Sequence, residues 1–219
     1  MTQNKKYAFM PNMMVPYHWG VENLRKIGQR PFTIKENIQA RVEAYESGDK
    51  SLFRWPLDSC SAIVYEGWKS DKFKIVNTCA QLINLQERLL QEPDSQLNNY
   101  HGTFLRVRYK EIEGVEFSRD KIFSKPLFNY PSSKEEVLEH PGWRALMGGD
   151  TTLLRCYLDI VSREIKGIYP TISDNNILFR IKKDTPDTEL RPLYIDNINN
   201  RSSINGEEHL PGYSFLRHL

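Results

Sequence analysis

CSAIVYEGWKSDKFKIVN, residues 60–77, is the stretch that decides the fold. Its halves, CSAIVYEGW and KFKIVN, are rich in β-branched and aromatic residues, and the turn-prone Lys69-Ser70-Asp71 separates them. This pattern predicts two short strands joined as a hairpin. On either side lie helical patterns. TIKENIQARVEAYESG places Thr33 and Glu36 at capping-box spacing, Ile34, Ile38, Val42 and Tyr45 on one face, and Gly48 where a left-handed residue ends a helix. NTCAQLINLQERLLQEP, residues 77–93, predicts a helix with a wide apolar face of Leu82, Ile83, Leu85, Leu89 and Leu90 that lies in the core.

Further along, PSSKEEVLEHPG predicts a short helix capped by Ser132 or Ser133 and stopped before Pro141. Trp143, just after it, is expected as a buried lid. GGDTTLLRCYLDIVSREIKG gives the clearest helix, started by Asp150 or Thr151 and ended by Gly167, with Leu153, Leu154, Tyr157, Leu158 and Val161 on its apolar face. NILFRIKK and RPLYIDNI predict late strands. Helices and strands alternate irregularly, with hairpins in place of regular βαβ units. The expectation is an α+β fold in one domain over residues 1–219, a mixed or antiparallel sheet with hairpins packed on two or three amphipathic helices. A flexible N-terminal arm at about 1–20 and a polar tail at about 197–219 flank it, and the tail's Tyr213, Phe215 and Leu216 are expected to dock on the body.

Composition bounds the function. With 39% hydrophobic and 26% charged residues the chain is able to form a globular core. Thirty Lys and Arg against 28 Asp and Glu leave a net charge of +2, which excludes a global basic field, so any anion site is local. Cys60, Cys79 and Cys156 show no metal-ligand spacing, and reduced thiols are expected. The N-terminus has two lysines and an apolar run, but Pro11 and Asn12 interrupt it and no cleavage site follows. No apolar stretch approaches the ~18 residues of a membrane span. A cytoplasmic location is expected on these grounds.

The strongest local charge pattern is HGTFLRVRYKEIEGVEFSRDK, residues 101–121. A strand over 104–111 puts Leu105, Val107 and Tyr109 on a core face and Arg106, Arg108 and Lys110 on the other. A three-residue loop, Ile112-Glu113-Gly114, makes a hairpin in which Lys110 faces Glu116 and Tyr109 faces Phe117. That basic face is the candidate anion site, for nucleic acid or an acidic protein surface; a solvated outer hairpin face is the plainer reading. The enzymatic alternative is a metal-dependent phosphodiesterase built on Asp58, Glu66 and Lys69. A similar set, Asp150, Glu164 and Lys166, lies at opposite ends of one predicted helix, and Asp150 reads better as a cap. The five histidines show no ligand spacing. A third reading is an interaction module, or a homo-oligomer, using the apolar terminal segments around Tyr7, Phe9, Met10, Met13, Met14 and Phe215. The expected protein is therefore a binding protein with no cofactor.

Overall fold

Strand β2, Leu57–Tyr65, is buried at all nine positions, because the sheet is covered on both faces. Leu57, Ile63 and Tyr65 join one apolar cluster, and Cys60, Ala62 and Val64 join the other. A strand buried on both faces reads as a continuous apolar run without alternation, as LDSCSAIVY does. The computed structural model describes residues 6–10, 17–66, 70–85, 105–118, 133–165, 171–172, 188–197, 203–205 and 215–219. The expected strand at 176–183, the second half of the helix expected over 77–93, Gly167, Lys69, Met13, Met14 and Tyr213 lie outside the described residues.

The expected hairpin forms. β2 pairs antiparallel with β3, Lys72–Val76, in the register Ala62↔Val76 to Tyr65↔Phe73. On its other edge β2 pairs antiparallel with β7, Thr188–Asp196. Around this pair the sheet runs β5 (Val115–Ser118), β3, β2, β7, β8 (Ser203–Asn205), β6 (Thr171–Ile172), while β4 (Leu105–Val107) also pairs with β7. Only the β6–β8 ladder is parallel among those described. A separate two-stranded sheet joins β1, Tyr7–Phe9, to β9, Leu216–His218, so that parts of the expected arm and tail pair with each other. Phe215 and Leu216 are buried, as the docking expectation required. The architecture is α+β.

The helices are set by their caps. In α2, Ile34–Glu46, the Thr33 hydroxyl accepts from the Glu36 amide at 3.1 Å and the Glu36 carboxylate accepts from the Thr33 amide at 2.7 Å. Gly48 follows at φ 88°, the left-handed residue the sequence called for. The same capping box, with Ser133 and Glu136, starts α5, Lys134–Glu139. A further helix, α6 at Pro141–Leu146, occupies the segment expected to be a stop. Proline lacks only an amide that has no partner in a first turn anyway, so at this position it begins a helix, with the His140 ring accepting from the Gly142 amide at 3.2 Å. Trp143 of α6 is buried, as expected. Asp150 caps α7, Thr151–Glu164, accepting from the Leu153 amide at 3.0 Å.

One apolar cluster holds α2, α3 (Ser51–Arg54), α5, α6 and α7 against the sheet; the other holds α1, Tyr17–Lys26, and the four-residue α4, Ala80–Ile83, which ends at Asn84 within the helix expected over 77–93, against the opposite face. No described helix is long and apolar enough to cross a membrane.

Two tests follow from this packing. A β-carbon on Gly20 would stand 2.1 Å from the ring of Phe215, which is itself fully buried and edge-on to Tyr17 at 5.2 Å. Gly20→Ala is expected to cost about 1–3 kcal/mol, read as a lower urea midpoint at unchanged slope. The Leu153 amide, and then Lys35 at 3.2 Å, hold the Asp150 carboxyl below its ordinary 3.8. A depressed acid stabilises above its unfolded value and loses that contribution as pH falls through the folded one. Asp150→Ala should therefore cost about 1 kcal/mol at pH 7, and the gap to wild type should close on acidification below about pH 4.

Candidate functional site

The basic segment does not form the expected hairpin. β4 pairs with β7, setting Leu105 opposite Leu190, Arg106 opposite Glu189 and Val107 opposite Thr188. β5 pairs with β3, setting Lys74 opposite Glu116 and Phe73 opposite Phe117. Three strands separate β4 from β5, about 19 Å at the usual strand spacing. Tyr109 and Lys110 therefore do not face Phe117 and Glu116, and Glu116 instead pairs with Lys72 at 3.2 Å.

The reason lies in Tyr109 and Ile112. Both are buried in the cluster beneath α1, and residues three apart fall on one side of a 3₁₀ turn, whereas in a strand they would point to opposite faces. The chain accordingly leaves the sheet after Val107, makes a 3₁₀ turn over Tyr109–Glu111 and crosses to the other side. Lys74 of β3 pins that turn: its ammonium donates to the Tyr109 carbonyl at 2.9 Å and the Ile112 carbonyl at 2.8 Å, and lies 4.4 Å from the Tyr109 ring centre. Burial, and then the Glu116 carboxylate, push the Tyr109 hydroxyl up. Close approach also explains Gly114, where a β-carbon would meet the Ile75 carbonyl at 2.9 Å.

The turn leaves two of the expected cations outside. The Arg108 side chain is 85% exposed, with Glu111 3.1 Å from its guanidinium, and Lys110 is exposed. Arg106 holds a position inside β4. The alternation that would have set all three on one strand face ends at Val107, so they form a strand end followed by a turn. Acidic Glu111 and Glu113 are exposed among them.

Of the enzymatic alternative, Asp58 and Glu66 are not brought together. Asp58 is buried near the start of β2 with its backbone carbonyl accepting from Asn37 at 3.0 Å. Glu66 follows the other end of the strand and accepts from the Ser70 hydroxyl at 2.9 Å. Asp58 lies opposite Tyr194 of β7 and Tyr65, just before Glu66, lies opposite Glu189, so the two acids stand roughly 20 Å apart along the strand, whereas metal-bound carboxylate oxygens lie within about 2.6 Å of one ion. Asp150 and Glu164 likewise stand at opposite ends of α7, the first as its cap and the second bonded to Tyr45 at 2.8 Å and Lys50 at 2.7 Å. Among the described residues no group of three His, Cys, Asp or Glu is placed to hold a metal ion. His140 caps α6, and His218 packs 5.4 Å from Tyr7 and 4.8 Å from Phe32, ring centre to ring centre.

If Lys74 organises the turn, Lys74→Met should leave the global fold in place while freeing the segment. Amide exchange at Glu111 and Ile112, which donate to Arg108 and Tyr109, should accelerate by roughly 10-fold or more, since two buried carbonyls lose a charged donor.

No family model matches the sequence, and no curated protein is similar to it. A solved structure described as "Accommodation of massive sequence variation in Nanoarchaeota by the C-type lectin fold" is similar over 98% of each chain, with a TM-score of 0.63 at 18% identity. At that identity the likeness is one of fold alone, and the α+β architecture of this chain is similar to that of a C-type lectin fold.

Proposed function

We propose that this chain is a non-enzymatic binding protein whose site is the turn after β4, with Arg108 and Lys110 as its exposed cations and Arg106 at the adjoining strand end. The observation that carries the reading is the pairing of exposure with anchoring: Arg108 and Lys110 stand in solvent on a turn whose carbonyls are held from below by Lys74. An anchored loop on a rigid sheet is a common way to present recognition residues. The structurally similar protein is described as accommodating massive sequence variation on this fold, which suits a scaffold whose buried core leaves the surface free to differ.

The partner is an acidic protein surface. Glu111 and Glu113 stand beside the two cations; a polyphosphate backbone would be repelled by them, whereas a protein face of mixed charge is able to complement both signs. The apolar-terminus reading is less favoured. Phe215 and Leu216 are buried, and Tyr7 and Phe9 lie in β1 against β9, so these side chains are used within the chain.

Titration of a fluorescent polyglutamate peptide and of a single-stranded oligonucleotide, each at 50 and 200 mM salt, tests the site. The peptide should bind wild type, weaken by about 10-fold or more with salt, and lose affinity for folded Arg108→Ala/Lys110→Ala. Absence of peptide binding at low salt overturns the reading, and binding of the oligonucleotide alone changes the partner class.

A further inference from the structure

Cys60 and Cys79 meet at the edge of β2. The Cys79 amide donates to the Cys60 carbonyl at 2.9 Å, and a backbone bond of that length holds two α-carbons at about 5–6 Å, inside the window that a disulfide spans. Both side chains are fully buried, and both belong to the cluster on the α1 side of the sheet, beside Tyr17, Val76 and Leu82. They therefore leave the backbone toward the same side. We propose that Cys60 and Cys79 form an intramolecular disulfide when the chain meets a small-molecule disulfide such as oxidised glutathione.

Little in the reduced state opposes it. The Cys60 thiol donates to the Pro31 carbonyl at 3.1 Å and its sulfur accepts from the Arg30 guanidinium at 3.8 Å, while the Cys79 thiol donates to the Gln81 side chain at 3.3 Å; sulfur is a weak donor and a weak acceptor. The Tyr17 hydroxyl is pushed well up by burial and then by Cys60, Asp58 and Cys79. Cys156 is exposed on α7 and has no part in the pair.

The chemistry balances as two exchanges. One cysteine attacks oxidised glutathione, giving a mixed disulfide and one glutathione thiol; the second cysteine attacks that mixed disulfide, closing the protein bond and releasing a second glutathione. Both cysteine hydrogens leave on glutathione, which is reduced as the cysteines are oxidised. Burial pushes the Cys60 thiol up to about 12, and only the thiolate attacks. The bond accordingly closes during folding or local opening and only slowly in the closed native state.

The test uses the full chain carrying Cys156→Ser, reduced, unfolded and refolded in reduced and oxidised glutathione, then alkylated. The proposal expects a mass lower by two hydrogens than the reduced protein, a linked peptide joining Cys60 to Cys79, no alkylation at either, and a Tm raised by about 5–10 °C. Separate alkyl or glutathione groups on Cys60 and Cys79, in protein that has regained its far-UV spectrum, would overturn it. In Cys79→Ala the Cys60 thiol should end alkylated or glutathionylated; should that variant fail to fold, the peptide map of the Cys156→Ser protein decides alone.

Discussion

Three residues of β2, Ser59, Cys60 and Ser61, oppose the single residue Leu193 of β7, because the register passes from Asp58↔Tyr194 directly to Ala62↔Pro192. A bulge of this size in a fully buried strand strands backbone groups that water cannot reach. Four of these groups find partners, three of them outside β2. Tyr17 of α1 donates to the Ser59 carbonyl at 2.7 Å, the Cys60 amide donates to Phe32 at 2.8 Å, the Cys60 carbonyl accepts from Cys79 at 2.9 Å, and the Ser61 amide donates to the Ser59 hydroxyl at 3.1 Å. The Ser61 hydroxyl in turn accepts from the Ile34 amide at 2.9 Å, one of the first-turn donors of α2 that has no helical acceptor. The bulge thereby fixes where α1 and α2 sit on opposite faces of the sheet.

A second polar centre closes the other side. Arg41 of α2 is fully buried, and its guanidinium donates to the carbonyls of Trp55 at 2.6 Å and Ile195 at 3.2 Å and to the Tyr157 hydroxyl at 3.3 Å. Tyr157 donates onward to Asn197 at 3.1 Å, and Asn197 donates to Phe53 at 2.9 Å. Helices α2 and α7 thus meet β7 through directed bonds as well as apolar area. Such bonds select one arrangement of the layers, since any other leaves a buried charge without its acceptors.

The turn after β4 depends on both. β7 gives β4 its ladder, β3 gives Lys74 its position, and β2 holds β7 and β3 apart at the distance the turn must span. Surface chemistry on such a segment is separable from stability: Arg108 and Lys110 touch solvent, while Tyr109 and Ile112 hold the core. Exchange of the exposed residues is thereby compatible with an unchanged scaffold.

Local signals in the sequence determined the elements whose causes are themselves local. The capping boxes at Thr33 and Ser133, the Asp150 cap, Gly48 and the β2–β3 hairpin all rest on residues within a few positions of one another. Pro141 was a local signal as well, but one with two meanings, since proline stops one helix and starts the next. The candidate site was legible as a cluster of cations and not as a shape. Alternation in FLRVRYK fits a strand for as long as only neighbours are considered, and the competing demand of Tyr109 and Ile112 for the core exists only once β3 and α1 are in place. Tertiary structure alone decided the partner strands of β4 and β5, the bulge at Ser59–Ser61 and the meeting of Cys60 with Cys79. Each is a pairing between groups far apart in the chain or packed in three dimensions, settled by which side chains the core buries and which partners the backbone groups meet there.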